Sequence, residues 1–438
     1  MESSIDKFVT QRMEKWSIPG LSLAVVQDGE LAYSRGYGFA RLEEQRSMEA
    51  CTPLGIGSTM KGMTALAVMQ LAARGQVALG APVRTYLPWF EVTHHQGTEM
   101  TVRQVLSMSA GLHSWLDEDD IEEGVRRGEW NVPHHVGALE RRVRDLADSE
   151  LLFAPGQAYA YANDGYAIAG LIVATVSGLP FETYLQEQVF APLGMNDTGF
   201  GAQVGAAQGY VRSGDTLLPE KPLQVPGYRP AGIDVMSTAH DLACYLAALL
   251  KGDGAVPEGA TQVMWTPCVQ IDRRNAYGLG WYLEEQNGVR IAHHGGHAMT
   301  SGSALYLAPE QGLGVAVLSN VDDPAVDAIG QALFATLAGI TAQAERPPST
   351  FIPDRGVWDR YLGGYLSPVG PLRIYVEDGQ LLGSFVKQGL HFSLEAYGDR
   401  EFVTRSDAAD VDGVDAVFEV APDGTVRLTL AGKVMGVK

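Results

Sequence analysis

The chain has 438 residues, 46% of them hydrophobic and 19% charged, and carries a formal net charge of −20. That length exceeds one ordinary core, so two or more domains are expected, and the composition excludes a disordered chain. An acidic surface repels phosphate backbones and anionic headgroups, which argues against nucleic acid and anionic membranes as partners.

Read from its start, the chain places Ile5, Phe8, Val9, Met13 and Trp16 at helical spacing, with no basic-then-apolar leader before them. The three cysteines, Cys51, Cys244 and Cys268, are scattered and lack metal-ligand spacing. They read as free thiols in a reducing compartment, and no apolar stretch is long enough to span a bilayer. A cytoplasmic location is the expectation. Two strand-like runs, Leu21–Val26 and Leu31–Tyr33, flank Asp28-Gly29 and predict a β-hairpin.

Ser58-Thr59-Met60-Lys61 then opens an apolar run, Met63–Leu71, that stops at Gly75. The pattern predicts a buried helix starting at Ser58. A serine there sits among unpaired N–H groups, with a lysine one turn on along the same face. A nucleophile needs a hydroxyl, a proton-handling amine and oxyanion donors, and all three converge here. The same residues also fit an ordinary helix N-cap.

From Val77 to Asp234 the pattern is mostly helical, as at Thr101–Met108 and Tyr166–Val176. Just before the second of these stand Tyr161, Ala162 and Asn163. A tyrosine is a weak base at its ordinary pKa of about 10, and a nearby ammonium such as Lys61 is expected to lower it. Tyr161 then suits taking the serine proton and returning it to a leaving group. A core aromatic followed by a turn asparagine is the alternative, and Tyr159 is expected to serve packing only. The run Asp117–Asp120 with Glu122 and Glu123 reads as a solvated face.

Strands return at Tyr277–Tyr282, Val289–Ala292, Ser303–Leu307 and Leu313–Leu318, and a last helix starts at Asp323-Pro324. His293-His294-Gly295-Gly296 follows the second of these strands. Glycines there let a substrate backbone lie along the strand edge, with the Gly296 N–H as second oxyanion donor beside that of Ser58. His293 is the expected hydrogen-bonding side chain. A metal site on His293, His294 and His297 would need helical spacing that the two glycines break, and His-Glu-x-x-His is absent, so neither metal nor cofactor is expected. The strands at both ends predict one antiparallel sheet flanked by helices, with a helical lobe beside it and a cleft between.

Composition shifts at residues 344–356, a polar, proline-bearing linker candidate. Residues 1–343 form the expected first domain. Residues 357–438 read as all-β, with a strand about every eight to twelve residues. Tyr375, Phe385, Phe392 and Phe402 are its expected core, and a barrel of this kind can hold a ligand, cover the cleft or mediate an oligomer.

The Ser58-x-x-Lys61, Tyr161-x-Asn163 and His293-x-Gly295 elements, in this order, resemble the signature of the serine β-lactamase-like hydrolases. That group includes class C β-lactamases, D-Ala-D-Ala carboxypeptidases, D-aminopeptidases and esterases. Leu87-Pro88-Trp89-Phe90, Pro192-Leu193-Gly194-Met195 and Ala231-Gly232 fit as well, and the likeness covers roughly Met1 to Ile340. The C-terminal part resembles the lipocalin-like appendages of some members.

The resemblance implies an α/β-type β-lactamase-like fold. It implies Ser58 as acylated nucleophile, Lys61 as its proton partner, Tyr161 as base then acid, and Asn163, His293, Gly295 and Gly296 around the substrate. A histidine where many members carry lysine weakens the case for substrates with a carboxylate beside the scissile bond. The expectation is a cytoplasmic serine esterase or peptidase for a small ester or short D-amino-acid peptide. The alternatives are a β-lactamase or D-Ala-D-Ala carboxypeptidase, and a catalytically silent scaffold of the same fold.

Overall fold

The computed structural model describes residues 2–92, 99–112, 134–147, 149–213, 216–272, 274–323 and 325–340, then 349, 351, 354–367, 370–377, 379–385, 390–406, 415–421, 424–430 and 433–435. The acidic run at 117–123 and most of the expected linker lie outside these residues.

The first hairpin is β1 (Gly20–Gln27) and β2 (Glu30–Arg41), followed by β3 (Arg46–Ser47). Late in the chain come β4 (Val269–Gln270), β5 (Ala276–Tyr277), β6 (Tyr282–Gln286), β7 (Val289–His297), β8 (Gly302–Ala308) and β9 (Leu313–Ser319). They assemble into one nine-stranded sheet in the order β3-β2-β1-β9-β8-β7-β6-β5-β4, with antiparallel pairings. The run Tyr277–Tyr282, expected as one strand, is instead broken into β5 and β6. Gly278 N–H donates to the Trp281 carbonyl across a tight turn there, and Gly280 has φ +83°.

Both faces of this sheet are covered, which is why β1 reads as a continuous apolar run rather than an alternation. Leu21, Leu23 and Val25 pack against one layer, made by α1 (Glu2–Trp16) and the final helix Ala325–Leu337. Ala24 and Val26 point the other way, into the main core. That core is built around α2 (Met60–Ala73), buried at every position from Met60 to Leu71, as a helix apolar all round must be. Packed with it are α3 (Val102–Leu106), α4 (Asn163–Ser177) and α5 (Ala239–Lys251). A capping box between Thr101 and Gln104 starts α3.

The C-terminal strands β10 (Gly363–Ser367), β11 (Gly370–Glu377), β12 (Gln380–Phe385), β13 (Leu390–Ala396), β14 (Glu401–Arg405), β15 (Asp415–Val420), β16 (Val426–Leu430) and β17 (Lys433–Met435) pair in chain order. The first and last approach each other, so the sheet curls into a nearly closed barrel. Trp358, Tyr361, Tyr365, Phe385, Phe392, Phe402 and Phe418 fill its interior, with the Tyr361 and Phe418 rings stacked at 4.2 Å. Tyr375 is not among them: strand alternation turns it outward, opposite to Leu372 and Ile374, with Arg373 lying over its ring.

Candidate active site

Ser58 does not begin the α-helix itself. It lies in a single 3-10 turn, Gly57–Thr59, that runs directly into α2. The turn and the first helical residues still place the Ser58 and Lys61 side chains on one side, with Lys61 Nζ 2.8 Å from Ser58 Oγ. Lys61 is fully buried. Its amine also donates to Asn163 Oδ1 at 2.7 Å and to the Ala231 carbonyl at 2.9 Å.

Tyr161 and Asn163 reach the same spot for a backbone reason. Ala162 between them is extended, with φ −144° and ψ 116°, so its neighbours point to one side while Ala162 itself packs into the core. The Tyr161 hydroxyl donates to Ser58 Oγ at 2.7 Å. Tyr159, two residues earlier, is buried, and its hydroxyl pairs with that of Tyr282 at 2.8 Å, so it hydrogen-bonds as well as packs.

Burial sets the electrostatics. Loss of water holds the Lys61 amine well below the ordinary lysine range. The same desolvation, reinforced by Tyr282, pushes the Tyr161 phenol well above its ordinary value, against a smaller opposing pull from the Ser58 hydrogen bond. This reverses the sequence expectation that Lys61 lowers the pKa of Tyr161: a shared dry environment outweighs the pairing. A neutral Lys61 has two N–H bonds and one lone pair. Asn163 Oδ1 and the Ala231 carbonyl accept the two N–H bonds, which leaves the lone pair for Ser58.

The histidine pair is also reassigned. Strand alternation along β7 sends Ile291 and His293 to the layer formed by α1 and the final helix, and Ala292 and His294 to the α2 side. The His293 ring is stacked between Tyr282 at 5.5 Å and Tyr306 at 5.3 Å. The His294 ring instead faces Tyr161, 6.3 Å between centroids. His294 Nδ1 lies 2.6 Å from the Gly295 carbonyl and Nε2 lies 3.0 Å from the Tyr277 hydroxyl. A carbonyl only accepts, so Nδ1 carries the proton and Nε2 accepts from Tyr277. Burial, then the nearby Lys61, push the His294 pKa down to about 3, so the ring is neutral.

The strand edge differs from the sequence reading by one residue. Asn287-Gly288 closes a two-residue turn, so Val289, Ile291 and His293 bond to β6 and the even-numbered residues bond to β8. Ala298 N–H donates to the Ser301 carbonyl, in keeping with that phase. β6 ends opposite His293, and the N–H groups of Gly295 and His297 beyond it face away from β8, while that of Gly296 is turned towards β8. Gly296 matters for a different reason. A Cβ there would come within 2.1 Å of the Ile56 carbonyl, so only glycine lets β7 run this close to the Ser58 turn.

Ala231-Gly232 fits the family resemblance, but the role of the Ala231 carbonyl beside Lys61 is not legible in it, and nothing in composition or spacing separates His294 from His293 or the His297 N–H from that of Gly296. The segment that brings Ala231 in depends on Gly232, which has φ +109° and whose Cβ would lie 1.8 Å from the Gly57 carbonyl. Gly232→Ala is expected to cost about 3 kcal/mol of stability. Thermal unfolding measures that loss, and turnover should fall with it because the Ser58 turn must shift. His293 and His297 lie on the opposite face of β7 from His294. Among the described residues no group of three or more His, Cys, Asp or Glu side chains is placed to hold a metal.

A family model described as Beta-lactamase matches residues 5–340. Protein flp of Staphylococcus aureus (strain N315) is 26% identical over 330 residues, which cover 73% of this chain and 63% of that protein. The chain therefore spans less than two thirds of the length of that relative. Esterase EstB of Burkholderia gladioli is 27% identical over 292 residues, covering 59% of this chain and 72% of the esterase. The octameric penicillin-binding protein homologue from Pyrococcus abyssi superimposes with a TM-score of 0.70 at 23% identity, over 100% of this chain and 99% of its own. It shares the fold through the C-terminal strands. With an antiparallel sheet between helical layers and a family match across most of its length, this chain belongs to the beta-lactamase family.

Proposed function

We propose that the protein is a serine hydrolase that forms an acyl-enzyme on Ser58 from esters or amides. The observation that carries this is the convergence on Ser58 Oγ of the Lys61 amine at 2.8 Å and the Tyr161 hydroxyl at 2.7 Å. Ser58 itself is half-buried. In this reading Lys61, not Tyr161, takes the serine proton as Oγ bonds to the carbonyl carbon. The N–H groups of Ser58 and His297 hold the oxyanion. Tyr161 passes a proton to the departing alcohol or amine as the carbonyl–heteroatom bond breaks. Lys61 then hands its proton to Tyr161, which restores the neutral amine. Water attacks the acyl-enzyme carbonyl and gives a proton to Lys61, and that proton returns to Ser58 Oγ as the Ser58–acyl bond breaks to release the acid.

The neutral His294 narrows the substrate. It offers no positive charge to a carboxylate, which favours acyl donors uncharged beside the scissile bond, such as simple esters and D-aminoacyl amides. A panel of a short acyl ester, a D-aminoacyl amide and a chromogenic cephalosporin tests the assignment. Turnover of the ester or the amide with little cephalosporin hydrolysis is the expected result. Efficient cephalosporin turnover would move the assignment to a β-lactamase. Inertness to the whole panel and to a fluorophosphonate probe would leave a silent scaffold.

A further inference from the structure

The two acceptors around Lys61 come from different parts of the fold. Asn163 Oδ1 stands on the first residue of α4, and the Ala231 carbonyl lies in the turn before Gly232. We infer that Asp164 and Tyr228 are positioning residues that tie these two elements together and so hold Lys61 against Ser58. The inference rests on the serine hydrolase reading and adds residues outside it.

Asp164 follows Asn163 in α4 and is 1% exposed. Its Oδ1 accepts from the Tyr228 hydroxyl at 2.7 Å and from Arg142 Nε at 2.8 Å, while Oδ2 has no partner among the described residues. The guanidinium also lies 4.9 Å from the centre of the Tyr228 ring. Tyr228 is fully enclosed, and its carbonyl receives three N–H groups in a row: Ala231 at 2.9 Å, Gly232 at 3.1 Å and Ile233 at 3.2 Å. The whole turn that delivers the Ala231 carbonyl is thus hung from Tyr228. Its neighbour, the Pro230 carbonyl, is held by Thr64 on α2 at 2.8 Å. One buried carboxylate therefore fixes the helix end that carries one acceptor and the turn that carries the other. Arg142 compensates its charge. A buried ion pair of this kind is weak evidence for stability, and fixing one arrangement is a use it suits.

Tyr228→Phe removes only the hydroxyl and keeps both the ring beneath Arg142 and the ion pair. The Ala231 carbonyl then loses its anchor to α4. A carbonyl acceptor stabilises an ammonium over an amine, so loosening it lowers the Lys61 pKa further. The rate of Ser58 labelling by a fluorophosphonate is expected to fall about 10-fold per folded active site. Its acidic limb is expected to move down by roughly half a pH unit. With an ester substrate, kcat should carry the loss and KM should stay within about twofold. Asp164→Asn is expected to move the same readouts in the same direction, and circular dichroism with thermal unfolding counts the folded fraction.

Wild-type labelling rate and limb in folded Tyr228→Phe would overturn the inference. So would a rate loss fully accounted for by unfolded protein. The two readings separate cleanly. Labelling that persists in Ser58→Ala sinks the hydrolase reading itself, whereas labelling that requires Ser58 but ignores Tyr228→Phe sinks only the positioning role.

Discussion

Replacing Ser58 with alanine is expected to lower turnover of an activated short-chain ester by about 10,000-fold or more, with the fold intact. The side chain is half-buried in the 3-10 turn before α2 and contributes little to the core, so unfolding is not the cause of the loss. The change removes the atom that lies within hydrogen-bonding distance of both Lys61 Nζ and the Tyr161 hydroxyl. A slow residual rate should survive, because the proposed oxyanion donors, the N–H groups of the 3-10 turn and of His297, remain to polarise a carbonyl for attack by water. The second measurement is mass spectrometry of the protein quenched during turnover. An added acyl mass on the wild type and none on Ser58→Ala is the expected pair. Retained turnover in the variant would place the chemistry elsewhere in the chain.

Lys61→Met is expected to cost about 1,000-fold or more in kcat/KM and to abolish the acidic limb of the pH profile. The wild-type sign follows from burial. Desolvation holds the amine below the ordinary lysine range, and in the proposed mechanism the neutral amine is the proton acceptor. Activity therefore rises with pH as Lys61 loses its proton, along a limb that lies below where an exposed lysine titrates. Tyr161 contributes no acidic limb, since the same burial keeps its phenol protonated through neutral pH. His294 contributes none between pH 5 and 8, because its pKa is pushed down to about 3. In Lys61→Met the Asn163 and Ala231 oxygens lose their donor, a cost of about 1–3 kcal/mol for each buried group. The lysine's own desolvation cost disappears, which offsets part of that loss. A variant that keeps both its rate and its limb would assign the base to another group.

The parts of the site legible in the sequence share one property: local geometry alone brings them together. Ser58 and Lys61 are one helical turn apart, and Tyr161 and Asn163 are two residues apart in extended backbone, so spacing predicts that each pair shares a side. The β1–β2 hairpin, the α2 run, the final helix and the all-β pattern after the linker are legible for the same reason, because turn residues and apolar periods act over short spans.

His294 was not legible. Adjacent residues in a strand face opposite layers, and which face meets α2 depends on how β7 registers against β8, a pairing between distant residues. The choice of the His297 N–H over that of Gly296 follows from the same phase. The direction of the Tyr161 pKa needed the structure too, because desolvation depends on everything packed around the phenol, and a lone pairing with Lys61 points the wrong way. The contact of the Ala231 carbonyl with Lys61 and the Asp164–Tyr228 tie are long-range features, which residue type and spacing do not specify.

By itself, then, the sequence determined which chemical groups this protein holds and which neighbours along the chain act as pairs. Only the tertiary structure decided which face of β7 meets Ser58 and in which direction burial shifts the Lys61 amine and the Tyr161 phenol. The physical reason is that register and burial are set by contacts between segments far apart in the chain.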